Sequence, residues 1–184
     1  MNALILVDVQ IGILAGPPAV RGASAMLDRI HGLIERARQA RALIVYVQHD
    51  GPRGHRAAPY SPGWLLDPSL QPVPGELVVH KTECDAFLGT VLDEELRKRK
   101  VTRIVIAGCM TQYCIDTTCR RAFSLGYDVT LAADAHATAD TPGGLTAAQI
   151  VAHHNATLDG FGDAPTHDLR VRPSGAISFV RDGG

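Results

Sequence analysis

The chain has 184 residues, of which 46% are hydrophobic and 20% charged, and its net charge is −1. This composition suits one globular domain with a sizeable core, and it provides no basic footprint for nucleic acid or an anionic membrane. We therefore expect a single domain over residues 1–184 that binds a small molecule or another copy of itself.

The N-terminal part predicts two strands around one helix. Ala3–Val9 is a continuous apolar run, typical of a strand buried on both faces of a parallel sheet. Ala19–Arg41 carries apolar residues at steps of three and four, which predicts an amphipathic helix. Ala42–Gln48 predicts a second buried strand, and the proline-rich stretch at residues 49–76 predicts a long inserted loop.

The middle of the chain predicts a third strand and a second helix. The strand Leu77–His80 runs directly into Lys81. Asp85 is a candidate N-cap for a helix that ends in a basic run at residues 97–100, where cations suit the helix dipole. The predicted buried face of this helix consists of Phe87, Leu88, Val91, Leu92 and Leu96.

The last third continues the alternation of strands and helices. The apolar run Ile104–Ala107 ends at Gly108, and a polar turn then leads into a helix with Cys114 at its start. The remaining predicted elements are a strand at Asp128–Ala133, a helix from about Thr146 to Leu158, and a possible sixth strand at Ala176–Val180. The sequence thus predicts an α/β fold with a three-layer, doubly wound, mainly parallel sheet of about six strands and helices on both faces.

Three reactive side chains follow predicted strands: Asp8 the first, Lys81 the third and Cys114 the fourth. Ligands of such sheets bind at the carboxyl ends of the strands, so these side chains can share one crevice. There, Asp8 can accept the thiol proton, while Lys81 and the helix N-terminus favour the thiolate. Backbone N–H groups of the turn at residues 110–114 can hold an oxyanion. Each residue alone has an ordinary structural explanation, but the shared location favours catalysis.

The same segments resemble a known family. LILVDVQ surrounds Asp8, HKTECDAFLGTVLDEEL spans His80–Leu96, and AGCMTQYCIDTTCRRAFSLGYDV spans Ala107–Val129. In these segments the chain resembles the isochorismatase-like cysteine hydrolases, which include nicotinamidases and N-carbamoylsarcosine amidohydrolase. The resemblance implies a doubly wound α/β fold and a catalytic triad of Asp8, Lys81 and Cys114.

The resemblance also implies a cis peptide bond between Cys109 and Met110. In such an arrangement the backbone N–H groups of Met110 and Cys114 form the oxyanion hole. The function that follows is hydrolysis of a C–N bond of a small molecule, in an amide, carbamoyl or ureide-like group, through a thioester on Cys114. Two alternatives stay open: an isochorismatase-type vinyl ether hydrolase, and a non-catalytic module that binds a small molecule or senses redox state.

Substrate contacts, metal binding and assembly depend on the loops. The aromatic residues Trp64, Phe87 and Tyr113 are candidates for contacting substrate. Nicotinamidases bind a metal through a D-x-H pattern and a further histidine, whereas here the order is His49, Asp50 and His55. We therefore expect no metal and no cofactor. Family members tend to be oligomers, so a homo-oligomer, a dimer or a tetramer, is expected.

The chain start and the cysteines indicate the compartment. No basic segment precedes the first apolar run, which Asp8 interrupts, so this stretch resembles neither a signal peptide nor a membrane span. We expect a cytoplasmic protein with reduced cysteines at positions 84, 109, 114 and 119. Their spacing includes no C-x-x-C pair, which argues against a zinc site.

Overall fold

A computed structural model describes residues 1–180 and contains one six-stranded sheet in which every pair of neighbouring strands is parallel. The strands are β1 (Asn2–Val7), β2 (Leu43–His49), β3 (Leu77–Lys81), β4 (Arg103–Cys109), β5 (Asp128–Ala137) and β6 (Leu169–Arg172). Their order across the sheet is β3-β2-β1-β4-β5-β6. The chain therefore winds outward in both directions from β1 and β4, and the predicted fold class is confirmed.

Within residues 1–180, five α-helices cover the two faces of the sheet. They are α1 (Ile11–Ala15), α2 (Ala23–Gln39), α3 (Leu92–Lys98), α4 (Asp116–Ser124) and α5 (Ala147–Leu158). Apolar side chains of α1 and α2 belong to the core on one face, and those of α3, α4 and α5 to the core on the other. The protein thus has three layers, helix, sheet and helix.

Strand β1 shows why the strands read as unbroken apolar runs. Successive side chains of a strand point to opposite faces, so Leu4 and Leu6 belong to one core while Ala3, Ile5 and Val7 belong to the other. All five side chains are at most 1% exposed. A strand covered on both faces needs apolar residues at every position, not at alternate ones.

The sixth strand was predicted in the wrong place. β6 is Leu169–Arg172, whereas residues 176–180 form no strand. Ile177 and Phe179 are buried, but they pack into the core beside α2 without joining the sheet. Their apolar character therefore comes from packing against a helix layer. The short strand beside β5 carries no apolar run that would predict it, because two of its four residues are arginines.

The helix predicted from Asp85 was also wrong in extent. Residues 82–91 form turns, and α3 begins only at Leu92. The Asp85 carboxylate accepts from the Phe87 N–H at 2.8 Å, but Gly89 then adopts a left-handed φ of 67° and ends the turn. Leu88 and Val91, both predicted to be buried, are each 55% exposed.

None of the helices within residues 1–180 is long and apolar enough to cross a membrane. The last four residues of the predicted domain, 181–184, lie outside the described residues.

Candidate active site

Asp8 lies where β1 ends, next to the point at which the winding direction of the sheet reverses. Its φ of 53° is left-handed, a conformation that aspartate adopts more readily than most residues. The Asp8 N–H donates to the Val47 carbonyl at 2.9 Å, so the backbone turns away from β1 while remaining held by β2. The carboxylate is thereby fixed at the carboxyl edge of the sheet, and the residue is 2% exposed.

Lys81 is the last residue of β3 and reaches across the ends of the strands. Its ammonium lies 2.8 Å from Asp8 Oδ2, and it donates to Cys114 Sγ at 3.2 Å and to the Glu83 carbonyl at 2.9 Å. An ammonium has three N–H donors, so all three have partners inside the protein. The Lys81 side chain, which is fully buried, therefore joins the carboxylate and the thiol.

Cys114 lies in one turn of π-helix, Thr111–Ile115, between β4 and α4. The N–H groups of Tyr113 and Ile115 both donate to the Met110 carbonyl, at 3.1 and 3.3 Å. The peptide bond between Cys109 and Met110 is cis, as the resemblance implied. Short π-turns occur frequently at functional sites, and here one turn presents the thiol toward the crevice.

Gly108 explains how β4 approaches β1 so closely just before this turn. It has a φ of 122°, and a Cβ at this position would lie 2.1 Å from the Val7 carbonyl oxygen. No other residue fits without a backbone shift. This close approach places the turn that carries Cys114 beside Asp8.

Burial dominates the electrostatics of the site. It raises the pKa of the Cys114 thiol, the nearby Asp8 carboxylate adds to that increase, and Lys81 only partly opposes it. Burial also tends to lower the pKa of Lys81, but the charges of Asp8 and Cys114 outweigh burial and raise it. These directions run against the expectation that the site favours the thiolate, because a raised pKa favours the protonated form of the Cys114 thiol beside the Asp8–Lys81 ion pair.

A cavity of about 200 Å³ opens above Cys114. Its lining residues are Asp8, Ile13, His49, His55, Arg56, Cys84, Met110, Tyr113 and Cys114. Typical ligand pockets measure roughly 300–1,000 Å³, so this one suits a small molecule or a small part of a larger one. Of the three aromatic residues predicted to contact substrate, Tyr113 lines this cavity.

The other two aromatic residues lie elsewhere. Phe87 is 7% exposed in the core, with its ring stacked on Tyr127 at 6.0 Å. Trp64 donates from Nε1 to Asp50 Oδ1 at 2.7 Å and stacks on His80 at 5.5 Å, and its carbonyl accepts from two glutamine side chains. The contacts of Trp64 hold the loop against the sheet, and neither Trp64 nor Phe87 lines the cavity above Cys114.

The rings of His49 and His55 lie edge to face with their centroids 5.3 Å apart, but these histidines and Asp50 have different polar surroundings. His55 Nδ1 accepts from the Ala57 N–H at 3.1 Å, whereas Asp50 Oδ1 is bonded to Trp64 and His80. Within residues 1–180, no group of three or more histidine, cysteine, aspartate or glutamate side chains is arranged to hold a metal ion. His49 and His55 line the cavity, and Asp50 holds Trp64 and His80.

Sequence reasoning did not place two polar residues, His49 and Arg56, in the wall of the cavity. His49 stood out only as a potential metal ligand, but its Nδ1 is buried without a hydrogen-bond partner in residues 1–180, and burial lowers its pKa so that the ring is neutral. Arg56 did not stand out at all, because one arginine in a polar loop carries no periodicity or motif.

A parallel six-stranded sheet that brings a carboxylate, an ammonium and a thiol together at its switch point defines a doubly wound α/β protein with one candidate active site. Within this class the chain belongs to the isochorismatase family, because a sequence model of the isochorismatase domain matches residues 2–158. The suspected family relationship is thereby confirmed.

Several curated proteins are similar to this chain. A streptothricin hydrolase of Streptomyces noursei is 44% identical over 142 residues, which cover 77% of this chain and 51% of the relative, so the chain spans about half of that protein. The secreted isochorismatase effector Isc1 of Verticillium dahliae is 35% identical over 153 residues, covering 82% and 79%. The ureidoacrylate amidohydrolase RutB of Caulobacter vibrioides is 29% identical over 172 residues, covering 73% and 76%.

Solved structures share the whole fold. An isochorismatase from Pseudomonas putida KT2440 superposes with a TM-score of 0.86 at 32% identity, covering 96% of this chain and 89% of that one. A cysteine hydrolase from Pseudomonas syringae pv. phaseolicola gives a TM-score of 0.82 at 25% identity, covering 95% and 89%.

Proposed function

We propose that this protein hydrolyses an amide-like C–N bond of a small molecule through a covalent thioester on Cys114. The observation that carries the proposal is the Lys81 ammonium, which contacts both the Asp8 carboxylate and the Cys114 sulfur at the edge of one small cavity. A thiol beside a buried base and a buried cation is the arrangement that nucleophilic catalysis requires.

The first half of the reaction transfers the acyl group. Asp8 Oδ1 is buried without a hydrogen-bond partner among residues 1–180, so its lone pairs are free to accept the Cys114 proton. Because the thiol is protonated at rest, proton transfer accompanies attack of the sulfur on the carbonyl carbon. The C–N bond then breaks as protonated Asp8 returns the proton to the leaving nitrogen, and the acyl group remains on Cys114 as a thioester.

The second half releases the acid. Asp8, again a carboxylate, takes a proton from water while the water oxygen attacks the thioester carbonyl. The C–S bond breaks, the thiolate recovers the proton, and a carboxylic or carbamic acid leaves. Lys81 stays charged throughout and stabilises the negative charge that moves between Asp8 and the sulfur.

The turn before Cys114 supports the developing oxyanion in this proposal. The Met110 N–H belongs to the cis peptide bond and Met110 lines the cavity, so this N–H is our candidate donor together with the Cys114 N–H. Removing one such donor typically costs about 3–4 kcal/mol of transition-state stabilisation.

Two kinds of relative support an amide substrate. The Caulobacter protein is named a ureidoacrylate amidohydrolase and the Streptomyces protein a streptothricin hydrolase. These names describe those proteins, and the substrate of this chain is a matter for experiment.

We further propose assembly as a homo-oligomer, which light scattering after gel filtration measures directly.

The test combines a substrate screen with mass spectrometry. Wild type should release ammonia from at least one small amide or ureide, and an acid quench should trap an acyl adduct on Cys114. Cys114→Ala should lose turnover by at least roughly a thousandfold, as expected when a nucleophile is removed. Cys119→Ala is the matched control, because Cys119 lies on the buried face of α4 and outside the cavity.

Two other results would each indicate a different function. Full turnover by Cys114→Ala would indicate a reaction without a thiol nucleophile, as in vinyl ether cleavage. Absence of any turnover together with reversible oxidation of Cys114 to a sulfenic acid by peroxide would indicate a redox sensor.

A further inference from the structure

Arg56 contributes a positive charge to the wall of the cavity without an acidic partner. Its Nη2 lies 3.6 Å from the sulfur of Met110, and its Nη1 lies 3.4 Å from the Pro18 carbonyl. Within residues 1–180 the guanidinium forms no ion pair with a carboxylate, although it is half-buried. A partly buried guanidinium whose N–H groups have few acceptors in the protein is available to an anionic ligand.

The position of Arg56 is built into the surrounding backbone. A Cβ at Gly16 would lie 2.6 Å from Arg56 Cδ and 3.0 Å from Nη1, so the side chain occupies space that only glycine leaves open. A Cβ at either Gly12 or Gly63 would lie 2.1 Å from the Arg56 carbonyl oxygen. Three glycines from two segments thus enclose one arginine, and its direction toward the cavity is a fixed feature of the fold.

The other titratable groups of the cavity leave this charge uncompensated. Asp8 and Lys81 neutralise each other at 2.8 Å. The Cys114 thiol and the His49 ring are uncharged near neutral pH, since burial raises the pKa of the first and lowers that of the second. The cavity therefore attracts anions.

We propose that Arg56 binds a carboxylate of the substrate, so that the preferred substrates are small amides with an acidic group a few bonds from the reacting carbonyl. The planar guanidinium matches a carboxylate through two parallel hydrogen bonds. A cavity of about 200 Å³ holds both ends of such a molecule. Monoamides of short dicarboxylic acids are the simplest members of this class. The substrate assignment rests on the proposed function, whereas the anion-binding role of Arg56 does not.

The first test therefore avoids turnover and measures alkylation of Cys114. Iodoacetate and iodoacetamide have nearly the same size and react at the same carbon, but only iodoacetate carries a carboxylate. Each reaction replaces iodide by the sulfur, with loss of the thiol proton. All proteins carry Cys84→Ser, because Cys84 is an exposed second thiol in the cavity. Peptide mass spectrometry reports the rate at Cys114.

The informative quantity is the rate ratio of iodoacetate to iodoacetamide. Arg56→Gln should lower this ratio by roughly tenfold, as expected for loss of a charge-assisted hydrogen bond. A general change in the reactivity of the thiol changes both alkylation rates by the same factor and leaves their ratio unchanged. Arg53→Gln is the matched control, because Arg53 is exposed on the same loop and does not line the cavity, and it should leave the ratio unchanged.

A folding defect is separated by two further measurements. Arg56→Lys keeps the charge and should retain part of the ratio, and thermal unfolding shows whether each variant is folded at the assay temperature. An unchanged ratio in folded Arg56→Gln overturns the anion-binding role, whether or not the protein hydrolyses amides.

The second test addresses the substrate class. Ammonia release from malonamate, succinamate and glutaramate is compared with release from the uncharged propionamide, butyramide and valeramide. We expect wild type to prefer at least one acid by tenfold or more in kcat/KM, and Arg56→Gln to lose that preference. Preference for the uncharged series overturns this substrate assignment. If neither series is hydrolysed but Arg56→Gln alters the alkylation ratio, Arg56 remains an anion site and the result counts against the proposed hydrolysis.

Discussion

The Lys81 ammonium lies 3.2 Å from the Cys114 sulfur, although the two residues are 33 positions apart in the chain. The same nitrogen lies 2.8 Å from Asp8 Oδ2, so one buried cation contacts both groups. Without this cation, ionising both groups would carry a large cost in desolvation free energy. This relationship makes Lys81 the centre of the site in both stability and chemistry.

Removal of the cation should destabilise the fold. Lys81→Met leaves the buried Asp8 carboxylate without its counter-charge, and breaking such a pair typically costs roughly 3–5 kcal/mol. Urea unfolding followed by circular dichroism measures the loss. The double variant Asp8→Asn with Lys81→Met removes both charges and should recover much of the stability. If the double variant is less stable than Lys81→Met, buried charge is not the cause.

Alkaline pH should weaken the fold through its buried thiols. Burial raises the pKa of Cys109, Cys114 and Cys119 above the ordinary value, which is about 8.5. Below that value both states hold these protons and stability is unaffected. Above it only the unfolded chain releases them, so the free energy of unfolding should fall by roughly 1.4 kcal/mol per pH unit for each thiol.

Unfolding in urea with reductant at pH 7.5, 8.5 and 9.5 measures this slope. Cys119→Ala removes one of the three buried thiols, and its slope should be about a third shallower than that of wild type. A slope that does not change in Cys119→Ala would contradict the assignment to thiols.

Gly108 should tolerate no side chain. Gly108→Ala places a methyl group 2.1 Å from the Val7 carbonyl in a left-handed conformation, and we expect a loss of at least about 3 kcal/mol. Gly75→Ala is the matched control, because Gly75 has a φ of 96° and its added methyl group would meet no atom of residues 1–180 within 4 Å. That control should lose only about 1–2 kcal/mol, the cost of the left-handed backbone itself. Equal losses in urea unfolding would mean that close packing on β1 is unimportant.

Trp64 should act on the loop and not on the substrate. Trp64→Phe keeps a ring over His80 but loses the hydrogen bond to Asp50, which should cost about 1 kcal/mol. Trp64→Ala loses both contacts and should cost roughly 3 kcal/mol. Circular dichroism in urea gives both values, and the rate of Cys114 alkylation by iodoacetamide should stay close to that of wild type in Trp64→Phe. A large change in that rate with unchanged stability would place Trp64 at the cavity after all.

The location of the candidate triad could be predicted because it depends on local patterns. Unbroken apolar runs identify strands that are buried on both faces, and parallel strands end at one edge of the sheet. Asp8 stands at the end of such a run, Lys81 follows the shorter apolar run Leu77–Val79 after His80, and Cys114 follows one by a short turn. These three side chains come together at this edge because of the topology of the sheet, which the alternation of strands and helices specifies.

The errors arose where packing overrides local pattern. Ile177 and Phe179 are apolar because they pack beside α2, which a single segment cannot distinguish from a strand. From the sequence alone, Trp64 could either hold a loop or contact a ligand. Its contacts with Asp50 and His80 are visible only in the folded chain.

The sequence by itself determined the α/β architecture, the family and the three reactive side chains, because periodicity, strand ends and motifs are properties of neighbouring residues. Only the tertiary structure decided that burial and the nearby Asp8 carboxylate raise the pKa of the Cys114 thiol, and that Arg56 lines the cavity without an acidic partner among residues 1–180. Both depend on desolvation and on charges that distant segments bring together, and neither quantity exists until the chain has folded.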